Sequence, residues 1–386
     1  MKVFVPKERG DGETRVAAVP ETVKRLVKEG LEVAVEAGAG AASHLADAAY
    51  QDAGARVVQG GEAASAFREA DVVLKVGAPT PNDALGVHEQ DALKEGALLV
   101  GHLAPHANLD VVAKLRDRKV SAFAMELIPR ITRAQGMDSL SSQASIAGYK
   151  AALLAAANLD KYFPLLTTAA GTIQPARVVI MGAGVAGLQA LATAKRLGAI
   201  VEVSDIRPAV KEQVESLGGK FIDVPLEEGG EDESGYAKEV SKEFLQKQQE
   251  IVKQRVLGCD AVITTALVPG KPAPKLVTEE MVRGMRDGAV IVDLAVEQGG
   301  NCELSQPGKD VVEHGVLIVG RRNLPASMPR DASTLYARNV LAVMLHLLSE
   351  GELSIDLEDE ITDGALLTHQ GDVRHEPTRN ALGGAQ

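Results

Sequence analysis

Residues 177–205 read RVVIMGAGVAGLQALATAKRLGAIVEVSD and decide the fold of the chain that contains them. Gly182, Gly184 and Gly187 form the pattern G-x-G-x-x-G, which closes an apolar strand and opens a helix. A second apolar run follows and ends at Asp205, about 20 positions beyond the first strand. The pattern is weak alone, but the strand, the helix and the acidic residue are the context that it requires. The stretch therefore predicts a βαβ unit that binds a dinucleotide.

The residues of this unit have separate physical roles. Gly182 permits the tight turn, Gly184 lets the backbone approach a pyrophosphate at the helix N-terminus, and Gly187 lets helix and strand pack closely. Asp205 would accept hydrogen bonds from ribose hydroxyls and repel a 2′-phosphate, which favours NAD. Arg207 complicates this preference because a guanidinium can pair with that phosphate, but Asp205 has the greater weight because it ends the strand. The alternative is a glycine-rich turn that binds nothing. The expected cofactor contacts are Gly182, Ala183, Gly184, Val185, Gly187, Asp205, Ile206 and Arg207.

Short Val-rich runs alternate with amphipathic helical runs along the whole chain. The series begins with KVFVP, PETVKRLVKEG and LEVAVEAGAG, and a second series begins near residue 175. This rhythm predicts an α/β protein of two Rossmann-like domains with mostly parallel sheets, linked by long helices. We expect the first domain at residues 1–140 and 330–386 and the NAD(H)-binding domain at residues 141–329. A length of 386 residues suits two domains of ordinary size.

Two later segments follow strands of the second series. ITTALVPGKPAP places Thr265, Ala266 and Leu267 at a strand end, where open α/β sheets bind ligands, although its Gly and Pro are also typical of a plain turn. We add these three residues to the expected cofactor contacts. More than thirty residues separate FIDVP from CDAVITTA, and they include an acidic, Gly-rich run with one aromatic residue, Tyr236. That run is either a solvated surface loop or a mobile cover over a ligand site.

Composition excludes several classes of function. The formal net charge of −12 makes nucleic acid a poor partner. Cys259 and Cys302 are the only cysteines, which leaves no Cys-rich metal site, fits a reducing compartment and leads us to expect no metal. The N-terminus lacks the apolar region of a signal peptide, and no window reaches about 18 uncharged apolar residues. We therefore expect a chain that does not itself span a membrane.

A polar stretch, RITRAQGMDSL at residues 130–140, separates the apolar run SAFAMELIP from an alanine-rich helix. It has neither the alternation of a strand nor the spacing of a helix face. Its polar side chains are Arg130, Arg133, Gln135 and Asp138. One interpretation is a helix entry with Asp138 as the N-cap. The other is a ligand-binding loop, because these side chains offer several donors and an acceptor.

Several segments together resemble a known family. VPKERGDGETRVAAVPETV, VVLKVGAP, IVDLAVEQGGN and the glycine motif resemble the shared frame of alanine dehydrogenase and the NAD(H)-binding part of proton-translocating transhydrogenase. MELIPRITRAQGMDSLSSQASIAGYKA is similar to the transhydrogenase loop that surrounds the nicotinamide ring, and GYAKE is similar to the tip of that family's mobile loop. The resemblance covers nearly the whole chain and favours transhydrogenase.

The resemblance implies roles for individual residues. Gln135 would position the nicotinamide and its ribose, and Arg130 and Asp138 would hold the carboxamide end. Ser141 would assist them, and Tyr236 would close over the bound nucleotide. These roles make Arg130, Gln135, Asp138 and Ser141 the expected catalytic set.

The resemblance also implies an activity and partners. Hydride would pass directly from NADH on this chain to NADP⁺ on a partner component, while a membrane-spanning component couples the transfer to proton translocation. NAD would be this chain's own cofactor, and NADP would bind only to the partner. The chain would form a homodimer in the cytoplasm, held at the inner face of the plasma membrane by its partners.

Two competing interpretations stay open at this point. The first is alanine dehydrogenase, because four residues stand where that family places substrate-binding and acid/base groups: Arg15, Lys75, His102 and Asn323. Gly101 and Glu297 depart from that family's pattern, and the loop at 130–138 has no role in alanine oxidation. The second is a catalytically silent NAD(H) sensor, which would not need that loop.

Overall fold

A computed structural model describes residues 1–223, 242–268, 270–349 and 351–383, and the expected contact Tyr236 lies outside them. In chain order, the strands are β1 (Lys2–Val5), β2 (Glu32–Glu36), β3 (Arg56–Val58), β4 (Val72–Leu74), β5 (Pro81–Asn82), β6 (Val87–His88), β7 (Leu98–Gly101), β8 (Ser121–Ala124), β9 (Leu166–Thr168), β10 (Gly171–Ile173), β11 (Arg177–Met181), β12 (Ile200–Ser204), β13 (Lys220–Phe221), β14 (Ala261–Thr264), β15 (Val290–Asp293), β16 (Lys309–Glu313), β17 (Val316–Gly320), β18 (Leu348–Ser349), β19 (Glu352–Leu353), β20 (Leu366–His369) and β21 (Asp372–Val373).

The α-helices, also in chain order, are α1 (Pro20–Lys28), α2 (Asp47–Asp52), α3 (Ala63–Glu69), α4 (Glu89–Ala92), α5 (Leu109–Asp117), α6 (Ser139–Asn158), α7 (Val185–Arg196), α8 (Lys211–Ser216), α9 (Lys242–Leu257), α10 (Glu279–Gly284), α11 (Pro329–Leu347), α12 (Glu360–Ala365) and α13 (Glu376–Gly383). None of the described helices is long and apolar enough to cross a membrane.

The chain divides into two compact units. The first unit contains Met1–Gln143 and Ala326–Gln386, and the second contains Ala144–Pro325. Helix α6 begins in the first unit and continues into the second, and α11 follows the return of the chain to the first unit. Both units contain a mostly parallel sheet, so the predicted α/β fold class is confirmed.

The second unit is built on a seven-stranded sheet with the order β13-β12-β11-β14-β15-β17-β16. Neighbouring strands are parallel except for β16, which runs antiparallel to β17. The central strands are buried on both faces, which is why they read as continuous Val and Ile runs in the sequence. Helix α7 covers one face, with Ala190, Leu191 and Ala194 in the core.

The first unit is built on an eight-stranded sheet with the order β21-β20-β8-β7-β4-β1-β2-β3. Strand β20 is antiparallel to both β8 and β21, and the remaining pairs are parallel. The C-terminal segment therefore completes the sheet that the N-terminal segment begins. Helix α1 starts at Pro20, whose missing N–H costs nothing in a first turn, and the chain leaves it through Gly30 at φ +86°.

Candidate functional site

In the second unit, four neighbouring strands end level with one another. Met181 at the end of β11 is in register with Ser204 of β12 and with Thr264 of β14. Thr264 is in turn in register with Asp293 of β15. The strand order reverses between β11 and β14, which is the position where doubly wound sheets bind their ligands. The expected contacts that follow β11, β12 and β14 therefore emerge at one edge of one sheet.

The glycine turn after β11 is fixed by backbone geometry and by Thr265. Gly182 has φ +104°, and a Cβ atom there would lie 2.5 Å from Thr265 Oγ1. The Thr265 hydroxyl lies within hydrogen-bond distance of the carbonyl oxygens of Met181 and Gly182, at 3.2 and 3.1 Å. A Cβ atom on Gly187 would lie 1.8 Å from the Gly182 carbonyl oxygen, so close approach of helix and turn requires glycine there.

Gly184 differs from the other two glycines of the motif. A Cβ atom at this position would meet nothing within 4 Å, although Gly184 is the N-cap of the twelve-residue helix α7. Open space in front of a helix N-terminus suits an anionic group, because the first N–H groups of the helix have no partner within the helix. The turn therefore fits a dinucleotide pyrophosphate. Exposed side chains of Val185 and Leu267 flank the same edge.

Asp205 accepts four hydrogen bonds. Two come from backbone groups, the Ala183 N–H at 2.6 Å and the Arg207 N–H at 2.9 Å. Two come from the Arg207 guanidinium, with Nε 2.9 Å from Oδ1 and Nη2 2.9 Å from Oδ2. Asp205, Ile206 and Arg207 thus turn away from β12 around one fixed carboxylate, and none of the three is exposed.

The segment after β14 is held by a residue that the sequence did not single out. Asn301 accepts a hydrogen bond from the Ala266 N–H at 3.0 Å and donates one to the Ala266 carbonyl oxygen at 2.9 Å. Its side chain is fully buried. Asn301 therefore fixes the backbone that carries Thr265, Ala266 and Leu267. The only signal in the sequence was its place at the end of the segment IVDLAVEQGGN.

The polar loop of the first unit is a 3₁₀-helix at Thr132–Met137. Arg130 and Gln135 are exposed, and within the described part of the chain the Gln135 side chain has no hydrogen-bond partner. Asp138 accepts hydrogen bonds from the Ser141 N–H at 2.8 Å and the Ser141 hydroxyl at 2.6 Å. Asp138 therefore does cap helix α6, and this cap brings it together with Ser141.

Asn339 of α11 connects this loop to the start of helix α6. Its amide nitrogen donates to the Gly136 carbonyl oxygen at 2.9 Å, and its amide oxygen accepts from the Ser142 hydroxyl at 2.7 Å. Asn339 is 8% exposed. A single polar residue on a helix face gave no signal in the sequence, because the partners lie about 200 positions away.

The lysine at the end of β4 is buried and paired, although a surface position was expected for it. Lys75 Nζ lies 2.9 Å from Glu8 and 3.0 Å from Glu89, and all three side chains are almost fully buried. Burial lowers the pKa of Lys75, but the two carboxylates outweigh it and the net shift is upward. Burial raises the pKa of Glu8. Whether or not Glu8 is protonated, this trio has no net positive charge.

The two other candidate groups of the first unit are also engaged. Arg15 donates to Glu13 through Nε at 2.8 Å and Nη2 at 2.7 Å, and to Gln143 through Nη1 at 2.9 Å. His102 lies 3.0 Å from the Ser139 hydroxyl, and its ring stacks on Tyr336. Burial, assisted by the charge of Arg15, lowers the pKa of His102 to about 4. His102 is therefore neutral at pH 7 and a weak base.

Asn323, the fourth candidate, belongs to the second unit. Its backbone N–H donates to Glu297 at 3.1 Å. Among the described residues, no group of three or more His, Cys, Asp and Glu side chains could hold a metal ion.

The sheet order, the glycine turn and the strand-end carboxylate define a dinucleotide-binding α/β protein of the dehydrogenase type. The family description "Alanine dehydrogenase/PNT, N-terminal domain" matches residues 4–147, and "Alanine dehydrogenase/PNT, C-terminal domain" matches residues 151–376. The chain belongs to this family, whose members bind nicotinamide nucleotides.

Relatives and solved structures place the chain in the transhydrogenase branch of that family. It is 52% identical over 379 residues to an NAD(P) transhydrogenase subunit alpha of Rhodospirillum rubrum, covering 97% of this chain and 98% of the relative. A crystal structure of transhydrogenase from Sinorhizobium meliloti is 44% identical, with a TM-score of 0.86 over 97% of this chain and 100% of that one. An L-alanine dehydrogenase structure is 27% identical, with a TM-score of 0.83 over the full length of both chains.

Proposed function

We propose that this chain is the NAD(H)-binding component of a proton-translocating transhydrogenase. Hydride would pass directly from NADH on this chain to NADP⁺ on a partner component. One two-electron transfer oxidises NADH to NAD⁺ and reduces NADP⁺ to NADPH, and no separate proton is needed. A membrane-spanning component would couple the transfer to proton movement.

The loop at Thr132–Met137 is the observation that carries this proposal. Asn339 and the Asp138 cap hold its backbone, while the Gln135 side chain is exposed and has no partner within the described residues. An amide in this state can donate to and accept from a carboxamide and a ribose. We propose that Gln135 positions the nicotinamide and ribose, that Arg130 and Asp138 hold the carboxamide end, and that Ser141 assists.

The chemistry requires orientation rather than acid–base catalysis. When bound, NADH supplies the hydride itself, so the residues of this chain need only hold the ring in a reactive orientation and exclude water. A His102 side chain that is neutral at pH 7 agrees with a reaction that needs no base. The carboxylate of Asp205 supports NAD rather than NADP as the cofactor of this site.

The charges in the first unit weigh against alanine oxidation. A 2-oxo acid needs a cation for its carboxylate, but Lys75 is paired with two glutamates and Arg15 with Glu13. Removing either cation from its partners would leave a buried charge unpaired, which is costly. The exposed loop gives no comparable reason to expect an amino-acid substrate.

The partners and location follow from the same proposal. We propose that the chain forms a homodimer and docks on NADP(H)-binding and membrane-spanning components at the inner face of the plasma membrane. The support is that its relatives are named as subunits of NAD(P) transhydrogenase.

A hydride-transfer assay tests the proposal. The purified chain would be mixed with an NADP(H)-binding transhydrogenase component, NADH and an NADP⁺ analogue whose reduction can be followed by absorbance. One control omits the component, and another replaces it with pyruvate and ammonium. Transfer that requires the component would support the proposal. NADH oxidation by pyruvate and ammonium alone would overturn it in favour of alanine dehydrogenase, and NADH binding without either reaction would favour a sensor.

A further inference from the structure

The carboxylate that would select NAD already has a cationic partner. Asp205 and Arg207 form two parallel hydrogen bonds of 2.9 Å, and their side chains are only 6% and 17% exposed. Such a bidentate pair is the geometry in which a guanidinium also binds a phosphate. The site therefore contains a phosphate-binding group that its own carboxylate neutralises.

The hydrogen bonds on Asp205 show what a ribose must replace. A carboxylate offers about four acceptor positions, and all four here receive N–H donors. The bonds from Ala183 N and Arg207 N come from the backbone and hold the carboxylate in place. Only the two guanidinium bonds can be given up without moving the chain. The hydroxyls of the adenosine ribose of NAD can take these two positions, one donor for another.

A 2′-phosphate cannot make the same exchange. It has no hydroxyl donor at physiological pH for the carboxylate, and its charge repels the carboxylate. Because Arg207 is bound to Asp205, its charge does not compensate. If the carboxylate is removed, the guanidinium loses its partner while most of its surface stays out of water. A poorly solvated cation without a partner then favours an anion.

We propose that Arg207 is a latent 2′-phosphate site and that its pairing with Asp205 sets the preference of this chain for NAD(H) over NADP(H). This inference rests on the proposed dinucleotide function of the same site. It assigns the selectivity to the ion pair rather than to repulsion by the carboxylate alone. The ligand class that the suppressed site would accept is a nucleotide with a 2′-phosphate.

The test measures dissociation constants of NADH and NADPH by calorimetric titration of the full-length chain. Asp205→Asn removes the charge and keeps an oxygen acceptor for a backbone N–H. We expect NADPH to bind roughly tenfold or more tightly to this variant than to the unaltered chain, because a charge-assisted bidentate contact becomes available. NADH should bind more weakly than to the unaltered chain. Added salt should reduce the gained NADPH affinity.

Arg207→Ala added to Asp205→Asn separates the two explanations. If the gain comes from the guanidinium, the double variant should lose it. If it comes only from relief of repulsion, the double variant should keep it, which would overturn the inference. Arg207→Ala alone should leave NADPH binding as weak as in the unaltered chain, since the carboxylate would meet the phosphate without a nearby cation.

Asp310→Asn is the matched control. Asp310 also pairs with an arginine, Arg321, at 2.7 Å, but it lies on β16 at the opposite edge of the same sheet. The same change of charge there should leave both dissociation constants unchanged. A gain in NADPH affinity equal to that of Asp205→Asn would overturn the inference, because net charge alone would then explain it.

The proposed function and the inference can fail separately. If the unaltered chain binds no NADH, the proposed function fails and the inference fails with it. If the unaltered chain binds NADH but Asp205→Asn gains no NADPH affinity, only the inference fails. Circular dichroism establishes that each variant is folded. Asp205→Ser, whose hydroxyl can still accept the Ala183 N–H, replaces Asp205→Asn with the same expectations if the latter does not fold.

Discussion

At the scale of single residues, Gln135 offers the most direct test of the loop. In Gln135→Asn the amide stays, but one methylene is lost and the group moves by about 1 Å or more, which is enough to slow a positioned reaction by roughly 10². We expect hydride transfer to fall by roughly tenfold to a hundredfold, with the NADH dissociation constant changed only a few-fold. Stopped-flow transfer rates and titrations measure the two effects.

The same change at Gln51→Asn, on the surface of α2, is the control and should alter neither quantity. A Gln135→Asn variant that binds NADH more weakly but transfers hydride at the normal rate would mean that the loop only anchors the ligand.

His102 predicts a pH dependence of stability. Its pKa is about 4 in the folded chain and about 6.5 when unfolded, so the unfolded state binds the proton first as the pH falls. The stabilisation is complete above pH 6.5 and is lost between about pH 6.5 and 4. Between pH 7 and pH 5 this residue should reduce the unfolding free energy by roughly 2 kcal/mol.

Urea titrations at the two pH values measure this loss, and in His102→Gln the loss should shrink by about that amount. An equal loss in the variant and in the unaltered chain would show that other groups cause the pH dependence.

Residue positions and residue partners differ in how far a sequence reveals them. Asp205 could be predicted because the end of a strand, a glycine motif and an acidic residue follow in a fixed order. Its pairing with Arg207 was only one possibility among several. The burial of Lys75 between Glu8 and Glu89 could not be predicted, because these groups come from distant segments that only the folded sheet brings together.

At the scale of elements, the glycine turn separates folding from binding. A Cβ atom on Gly187 would overlap the Gly182 carbonyl oxygen, whereas one on Gly184 would meet nothing. We expect Gly187→Ala to destabilise the chain by about 3 kcal/mol or more. Gly184→Ala should change stability by at most about 1 kcal/mol, because its φ of −74° suits alanine.

Binding should show the complementary result. Gly184→Ala should weaken NADH by roughly tenfold or more, since the added methyl occupies the space where the pyrophosphate approaches the backbone. Thermal unfolding and NADH titration distinguish the two variants. Normal NADH affinity in Gly184→Ala would contradict the placement of the pyrophosphate at this turn.

The connection between α11 and the loop predicts an effect of Asn339. Asn339→Ala leaves the Gly136 carbonyl and the Ser142 hydroxyl without this partner, at a cost of about 1–3 kcal/mol in unfolding free energy. Because the loop is then less well held, hydride transfer should slow more than NADH binding weakens. Ser142→Ala removes only one of the two bonds and should have the smaller effect on transfer. Equal transfer rates in Asn339→Ala and the unaltered chain would contradict a positioning role.

Element types were easier to predict than element limits. The helix after the loop was expected from about residue 142, but α6 begins at Ser139, because Asp138 caps it through Ser141. The predicted helix entry and the predicted ligand loop are therefore not exclusive alternatives. A capping residue at the end of a polar loop serves both interpretations, and spacing alone could not separate them.

At the scale of the whole molecule, alternation of strands and helices was sufficient to predict two α/β units. The strand order was not predictable in the same way, because β20 joins β8 across more than two hundred residues of chain. The C-terminal segment has no local feature that specifies this pairing. Expected domain limits at 140/141 and 329/330 stand beside unit limits at 143/144 and 325/326.

Each unit has apolar clusters of its own, formed by β1, α1 and α11 in the first and by β11, α7 and β14 in the second. Separate cores predict two unfolding transitions in calorimetry rather than one. NADH at a hundredfold excess over its Kd should stabilise the unit that binds it by about 2.7 kcal/mol, which is about 5–10 °C for a unit of this size. Only one transition should move.

Two variants assign the transitions. Gly187→Ala should lower the transition that NADH raises, because its overlap lies within the second unit. Tyr336→Phe should lower the other, because it removes the buried hydrogen bond from the Tyr336 hydroxyl to the Lys75 carbonyl oxygen at 2.7 Å. A single transition that both variants lower would mean that the two units unfold together. The dinucleotide would then stabilise the whole chain rather than the second unit alone.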